Sequence, residues 1–164
     1  MHLIDAHLLD TSAIIYAWDN YPIKQFPKLW EWLGELVKDG DLKIPQVAFE
    51  ETIKNSPECA DWLKDKQVVR VPIGNEILKE ALRIKKLLEI EDDQYRKGVG
   101  ENDIFIIACS RHLKLPLINN EAVQTDLKLT HLANYKIPAV CGLKEVKVPS
   151  INFLQFLKES KEVF

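Results

Sequence analysis

Hydrophobic positions along the chain alternate between two textures. Short apolar runs occur at Leu3 to Leu9, Leu42 to Ile44, Val68 to Ile73 and Pro116 to Ile118, the third rich in β-branched residues. Such runs read as strands. Between them lie longer stretches whose apolar residues recur at three and four. Leu29, Trp30, Leu33, Leu36 and Val37 form one stripe. Ile77, Ala81, Ile84 and Leu88 form another, and both read as amphipathic helices.

Punctuation residues bound these elements. Thr11 or Ser12 can cap a helix from Ala13 to Trp18. Pro27 suits the first turn of the next helix, and Gly40 closes it. Pro45 opens a helix carrying Val47, Ala48, Glu51 and Lys54, and Asn55-Ser56-Pro57 breaks it before a short helix through Trp62-Leu63. Gly98-Val99-Gly100 marks a turn before a helix from about Glu101 to Leu113, with Ile104, Ile107, Ala108 and His112 facing inward. The tail reads as a helical stretch around Ala139-Leu143, a strand near Val146-Val148 and a helix from about Ser150 to Lys161. Alternating strands and helices predict an α/β fold with a parallel sheet covered on both faces. Neither repeat nor linker divides the 164 residues, so the expectation is one domain over 1–164.

Composition narrows the possibilities. The formal net charge is −3, so the chain is not a nucleic-acid binder that works through broad basic charge. Local groups such as Lys85-Lys86 and Arg96-Lys97 read first as solvated helix faces. The three cysteines, Cys59, Cys109 and Cys141, lack metal-site spacing and suit reduced thiols in a cytoplasmic protein. Cys109, within Ile106-Ile107-Ala108-Cys109, reads as a buried, inert thiol. The first residues do not show the charged-then-apolar pattern of a signal peptide and no apolar run reaches membrane length, so a cytoplasmic location is the expectation.

Ligands of parallel α/β sheets sit beyond the carboxyl ends of the strands. Asp10 follows the first apolar run, and Asn119-Asn120-Glu121 follows Pro116-Leu117-Ile118. Asp103 opens the helix that leads into that second run, and Glu51 shares the buried face of its helix with Val47. Singly, each acid has an ordinary explanation: a cap, a helix-dipole partner or a solvated face. Together at one rim, carboxylates repel one another unless cations compensate. An all-oxygen set suits Mg²⁺ or Mn²⁺, and such ions support phosphodiester hydrolysis. His2, His7, His112 and His131 show no ligand spacing. Gly98-Val99-Gly100 lacks the remaining features of a phosphate loop. Trp30, Trp32 and Trp62 read as packing, and Trp18, close to Asp10, suits packing or base stacking.

Four segments in order resemble the motifs of the PIN-domain family: Leu8-Leu9-Asp10-Thr11-Ser12, Ile44 to Glu51, Asn102 to Ala108, and Leu115 to Glu121. The flanks Ala17-Trp18, Tyr21-Pro22, Phe26-Pro27, Leu29-Trp30, Ile137-Pro138 and Val140-Cys141 resemble a subfamily of small bacterial and archaeal PIN proteins known only as a domain of unknown function. The resemblance implies a three-layer α/β/α sandwich and a metal-dependent ribonuclease of the kind found as toxins in toxin–antitoxin pairs. By position it makes Asp10, Glu51, Asp103 and Glu121 the catalytic, metal-holding set, with Mg²⁺ or Mn²⁺ as cofactor. Thr11, Ser12 and Asn119 become supporting residues. The implied partners are RNA, a protein antitoxin and a second copy of the chain. Two positions depart from the pattern: Asn119 stands where a hydroxyl is usual, and Glu121 where Asp is usual. Glu50 adjoins Glu51, and about 100° per residue lets only one face the site. Two other readings stay open. A haloacid-dehalogenase-like phosphatase also begins with a strand and Asp, but Ser12 replaces its second Asp. A degenerate PIN scaffold would bind RNA or a protein without cutting.

Overall fold

The computed structural model describes residues 4–164, so Leu3 of the first apolar run and His2 lie outside the described residues. Five strands form one all-parallel sheet: β1 (His7–Leu9), β2 (Leu42–Pro45), β3 (Val69–Val71), β4 (Leu117–Ile118) and β5 (Ser150–Ile151). Their order is β3-β2-β1-β4-β5. The central strands show why both faces are covered. Successive side chains on a strand point to opposite faces. Leu8 and Leu9 on β1, and Leu117 and Ile118 on β4, are all buried. The helices are α1 (Thr11–Asn20), α2 (Pro27–Lys38), α3 (Gln46–Asn55), α4 (Pro57–Asp65), α5 (Asn75–Leu87), α6 (Glu101–Leu113), α7 (Ile137–Cys141) and α8 (Phe153–Ser160). They flank the sheet in a three-layer α/β/α arrangement around one contiguous apolar core.

Local chemistry explains the main boundaries. Pro27 stands at the start of α2, and its predicted stripe, Leu29, Trp30, Leu33, Leu36 and Val37, is buried. Gly40, with φ +78°, supplies the left-handed turn after that helix. Ile77, Ala81 and Ile84 bury one face of α5. Its partner α6 spans the stretch the sequence predicts.

Several expectations need correction. The cap of α1 is Asp10, not Thr11 or Ser12: its Oδ2 accepts from the Ser12 N–H at 3.1 Å, so the helix begins two residues early. The last strand is Ser150–Ile151 rather than Val146–Val148. Ser150 and Ile151 are the residues in register with Leu117 and Ile118, while Val146 and Val148 bury their side chains in the turn before it. Asn152 then caps α8, whose start moves to Phe153. His112 does not face inward but is exposed near the end of α6.

Candidate functional site at the carboxyl edge of the sheet

Between β1 and β4 the strand order reverses, since β1 connects outward to β2 while β4 lies on its other side. Such a switch point opens a crevice at the carboxyl ends of the two strands. Leu9 pairs with Ile118, so Asp10 and Asn119 leave the sheet side by side. The Asp10 N–H donates to the Ile118 carbonyl at 2.9 Å. Ser12 joins the two strand ends. Its hydroxyl donates to Asp10 Oδ2 and accepts from the Asn120 N–H at 2.9 Å.

The other carboxylates are held by their own elements. Glu51 lies on α3, and Thr11 Oγ1 reaches both Glu51 Oε1 (3.1 Å) and the Ala48 carbonyl (3.2 Å). Glu50 points away, is exposed, and accepts from Gln46 Nε2. The rotation along α3 therefore turns Glu51 toward the rim. Asp103, in the first turn of α6, accepts from the Gly100 N–H at 3.0 Å. Glu121 Oε2 accepts from the Ile137 N–H at 2.9 Å, at the start of α7. Asn119 is buried, donates to Ser150 Oγ on β5, and accepts from the Glu121 N–H at 3.3 Å. Thus Ser12 supports Asp10, Thr11 supports Glu51, and Asn119 shapes the turn that carries Glu121.

One regularity runs through these contacts. Each of the four carboxylates gives one oxygen to a protein donor: Asp10 Oδ2, Glu51 Oε1, Asp103 Oδ2 and Glu121 Oε2. The second oxygen of each makes no hydrogen bond among the described residues, and none of the four forms an ion pair there.

Electrostatics tie the four together. Burial pushes Asp10, only 3% exposed, up to about 7 against the opposing Ser12 hydrogen bond, and the charges of Asp103 and Glu121 push the same way. Burial and then the Asp103 charge raise Glu51, opposed by the Thr11 hydrogen bond. Burial raises Glu121, and Asp103 adds to it. Asp103 is itself raised by burial, while the Gly100 N–H and the nearby Lys136 ammonium pull it back. Asp103 is the charge that the other three share. Burial pushes the Cys141 thiol up to about 12, with help from Asp10 and Glu121, so α7 also borders the site.

Lys136 is absent from the sequence reading, and Asn120 enters it only as part of the polar run after Ile118. Lys136 is exposed just before α7 and is the cation felt by both Asp103 and Glu121. Its backbone is pinned, with its N–H donating to Gln124 Oε1 at 2.7 Å. The signal was a lysine immediately before the helix start Ile137-Pro138. Asn120 Oδ1 accepts from the Phe153 N–H and so fastens α8 to the rim.

The donor set is all oxygen, which suits a hard divalent cation. Among the described residues, however, no group of three or more His, Cys, Asp or Glu side chains is placed as it stands to hold a metal ion. Binding of a cation by this set would have to be accompanied by side-chain rotation. Trp18 packs edge-on against Trp30, at 5.2 Å between ring centroids, and Trp30 against Trp62 at 4.9 Å. The ring of His7 packs edge-on against Phe156.

The raised Asp10 carboxyl predicts an unusual pH dependence in metal-free protein. Unfolded, this group titrates near 3.8; folded, near 7. Between those values the folded chain keeps a proton that the unfolded chain has lost. Stability therefore falls as pH rises through the window and levels off above it, by roughly 3–5 kcal/mol from this one group. Urea unfolding in EDTA from about pH 4 to about pH 8 should show wild type losing stability relative to Asp10→Asn. A constant difference between the two proteins would refute the burial account of Asp10.

Fold and site together define an α/β chain with a carboxylate group at the switch point of a parallel sheet. The chain belongs to the family described as Domain of unknown function (DUF4411), whose model matches residues 7–164. No curated protein matches it. No helix among the described residues is long and apolar enough to cross a membrane.

Proposed function

We propose that the chain is a PIN-like, Mg²⁺- or Mn²⁺-dependent endoribonuclease acting through Asp10, Glu51, Asp103 and Glu121. The observation that carries this reading is the shared pattern of the four carboxylates: one oxygen anchored by protein, and, among the described residues, no partner for the other oxygen and no cation paired to any of them. Burying such groups is costly, and a divalent cation is the partner that would repay it. When bound, the ion would supply Lewis acidity and an activated water for phosphodiester hydrolysis. The chain's own contribution is positional. Ser12 holds Asp10, Thr11 holds Glu51, the Gly100 N–H holds Asp103, and the Ile137 N–H holds Glu121. Lys136, beside Asp103 and Glu121, offers a positive charge for an approaching RNA phosphate. Partners in this reading are RNA, a protein antitoxin and a second copy of the chain. Three buried free thiols suit the reducing cytoplasm.

A second reading is a degenerate PIN scaffold that binds RNA or a protein without cutting. The absence of a preformed metal-holding group among the described residues favours it, as does the use of Glu121 to cap α7. The deciding experiment is cleavage of a mixed structured RNA pool in Mg²⁺, Mn²⁺ or EDTA. Metal-dependent cleavage supports the nuclease. RNA binding without cleavage in either metal supports the scaffold.

Glu121→Gln separates the two roles of that side chain. The amide oxygen can still accept from the Ile137 N–H, so stability should change by less than about 1 kcal/mol. A lost metal ligand should lower cleavage about tenfold or more. Undiminished cleavage with Glu121→Gln would remove Glu121 from the metal set and leave it as a cap of α7.

A further inference from the structure

The opposite, amino end of the sheet carries a second site of different chemistry. A cavity of about 710 Å³ opens between α5, the end of α6 and the segments leading into β4 and β5. From Asp103 to Arg111 the helix rises roughly 12 Å, at about 1.5 Å per residue, away from the carboxylate rim. Five of the lining residues are Lys or Arg and two are Glu, in a chain whose net charge is −3. The two glutamates are already matched. Glu80 is clasped by Arg83 and Arg111, each at 2.6 Å, and Glu76 faces Lys79 at 3.5 Å. The arginines also brace the wall, Arg83 donating to the Glu145 carbonyl and Arg111 to the Val146 carbonyl. Lys114 and Lys147 remain, and neither forms an ion pair among the described residues. Both hold left-handed backbones, at φ 57° and 49°.

Ser110 forms part of the cavity wall, is 1% exposed, and its Oγ has no hydrogen-bond partner. A buried hydroxyl without a partner is disfavoured, because it has given up water for nothing. Leu115, Val148 and Pro149 complete an apolar side to the cavity. Unpaired ammonium groups and an apolar wall fit an organic molecule with a compact anionic end. The volume lies within the several hundred Å³ usual for small-ligand sites.

We propose that this cavity binds a small organic phosphate monoester of nucleoside-monophosphate size. Its phosphate sits between Lys114 and Lys147, and its body lies against Leu115 and Pro149. The site is separate from the carboxylate rim and does not depend on the nuclease reading.

Calorimetric titration of the full chain with AMP, and with inorganic phosphate, tests the proposal. AMP should bind with a Kd on the order of 0.1 mM, about tenfold tighter than phosphate. Lys114→Gln and Lys147→Gln should each weaken AMP about tenfold. Asp10→Asn should leave AMP binding unchanged, which separates this site from the carboxylate rim. No AMP binding at about 10 mM, or binding that survives both lysine substitutions, would overturn the site. Phosphate binding as tightly as AMP would overturn the organic ligand.

Discussion

Asp10→Asn should abolish metal-dependent RNA cleavage, by about 10³-fold or more, while leaving the metal-free protein as stable or more stable. A 10³-fold loss corresponds to about 4 kcal/mol of transition-state stabilisation, within what one metal ligand supplies. The stability half follows from burial. Asp10 is 3% exposed and its charge is opposed by desolvation and by two neighbouring carboxylates. The neutral amide escapes that cost and keeps an oxygen to accept from the Ser12 N–H, so the start of α1 survives. A structural acid would behave oppositely: removing its charge would cost stability and leave chemistry alone. Cleavage assays in Mg²⁺ and Mn²⁺ paired with urea midpoints near pH 8 decide between these. Equal activity of the two proteins would dismiss Asp10 as a ligand. Lower stability of the variant at that pH would dismiss the claim that its charge is held against the fold.

Much of this layout was legible in the chain, because it depends on local order. The apolar runs and three-four stripes mark four of the five strands and the long helices. The rule that ligands gather beyond strand carboxyl ends directs attention to Asp10 and Asn119 before any coordinates are known. Helical rotation lets only one of Glu50 and Glu51 face the site, spacing from Pro45 and the family pattern favour Glu51, and Thr11 Oγ1 lies against Glu51 while Glu50 is exposed. Failures arise where a distant partner decides the outcome. Val146 and Val148 have strand chemistry, yet the ladder forms at Ser150 and Ile151, which are the residues in register with β4. Thr11 or Ser12 is the cap the sequence suggests for α1, whereas the Asp10 side chain serves as cap and candidate ligand together. The basic cavity was invisible for a similar reason. Its residues come from three separate stretches, on α5, near the end of α6 and before β5, and no one of them is rich enough in charge to stand out.

Gly98→Ala should be among the most damaging single substitutions outside the apolar core, and its effect should reach the site. The residue's φ does not lie in the left-handed region, so alanine meets no backbone objection there. The obstacle is contact. A Cβ at Gly98 would lie 2.4 Å from the Tyr135 carbonyl oxygen, 2.5 Å from the Asn134 carbonyl carbon and 2.6 Å from the Ala133 carbonyl oxygen. All three are backbone atoms, so no side-chain rotation relieves the clash, and the two segments must part. Their separation would break the hydrogen bond from the Val99 N–H to the Tyr135 carbonyl at 2.9 Å. Overpacking typically costs about 1–3 kcal/mol and occasionally more, and a backbone clash that no rotamer relieves belongs at the upper end of that range. The two segments carry opposite sides of the site. Just after Gly98, the Gly100 N–H holds Asp103; just after Tyr135 come Lys136 and the Ile137 N–H that holds Glu121. The close approach at Gly98 therefore sets the spacing between Asp103 and the Glu121–Lys136 side of the rim. Urea unfolding should show the loss of stability. Gly100→Ala, where a Cβ meets nothing within 4 Å, should cost under about 1 kcal/mol and serves as the control. Under conditions where the Gly98 variant is still folded, it should gain less stability from Mg²⁺ or Mn²⁺ than wild type does if these ions bind as the proposed function expects. A Gly98→Ala midpoint equal to that of Gly100→Ala would show that the two segments part freely, and that something other than their contact fixes Asp103 opposite Glu121.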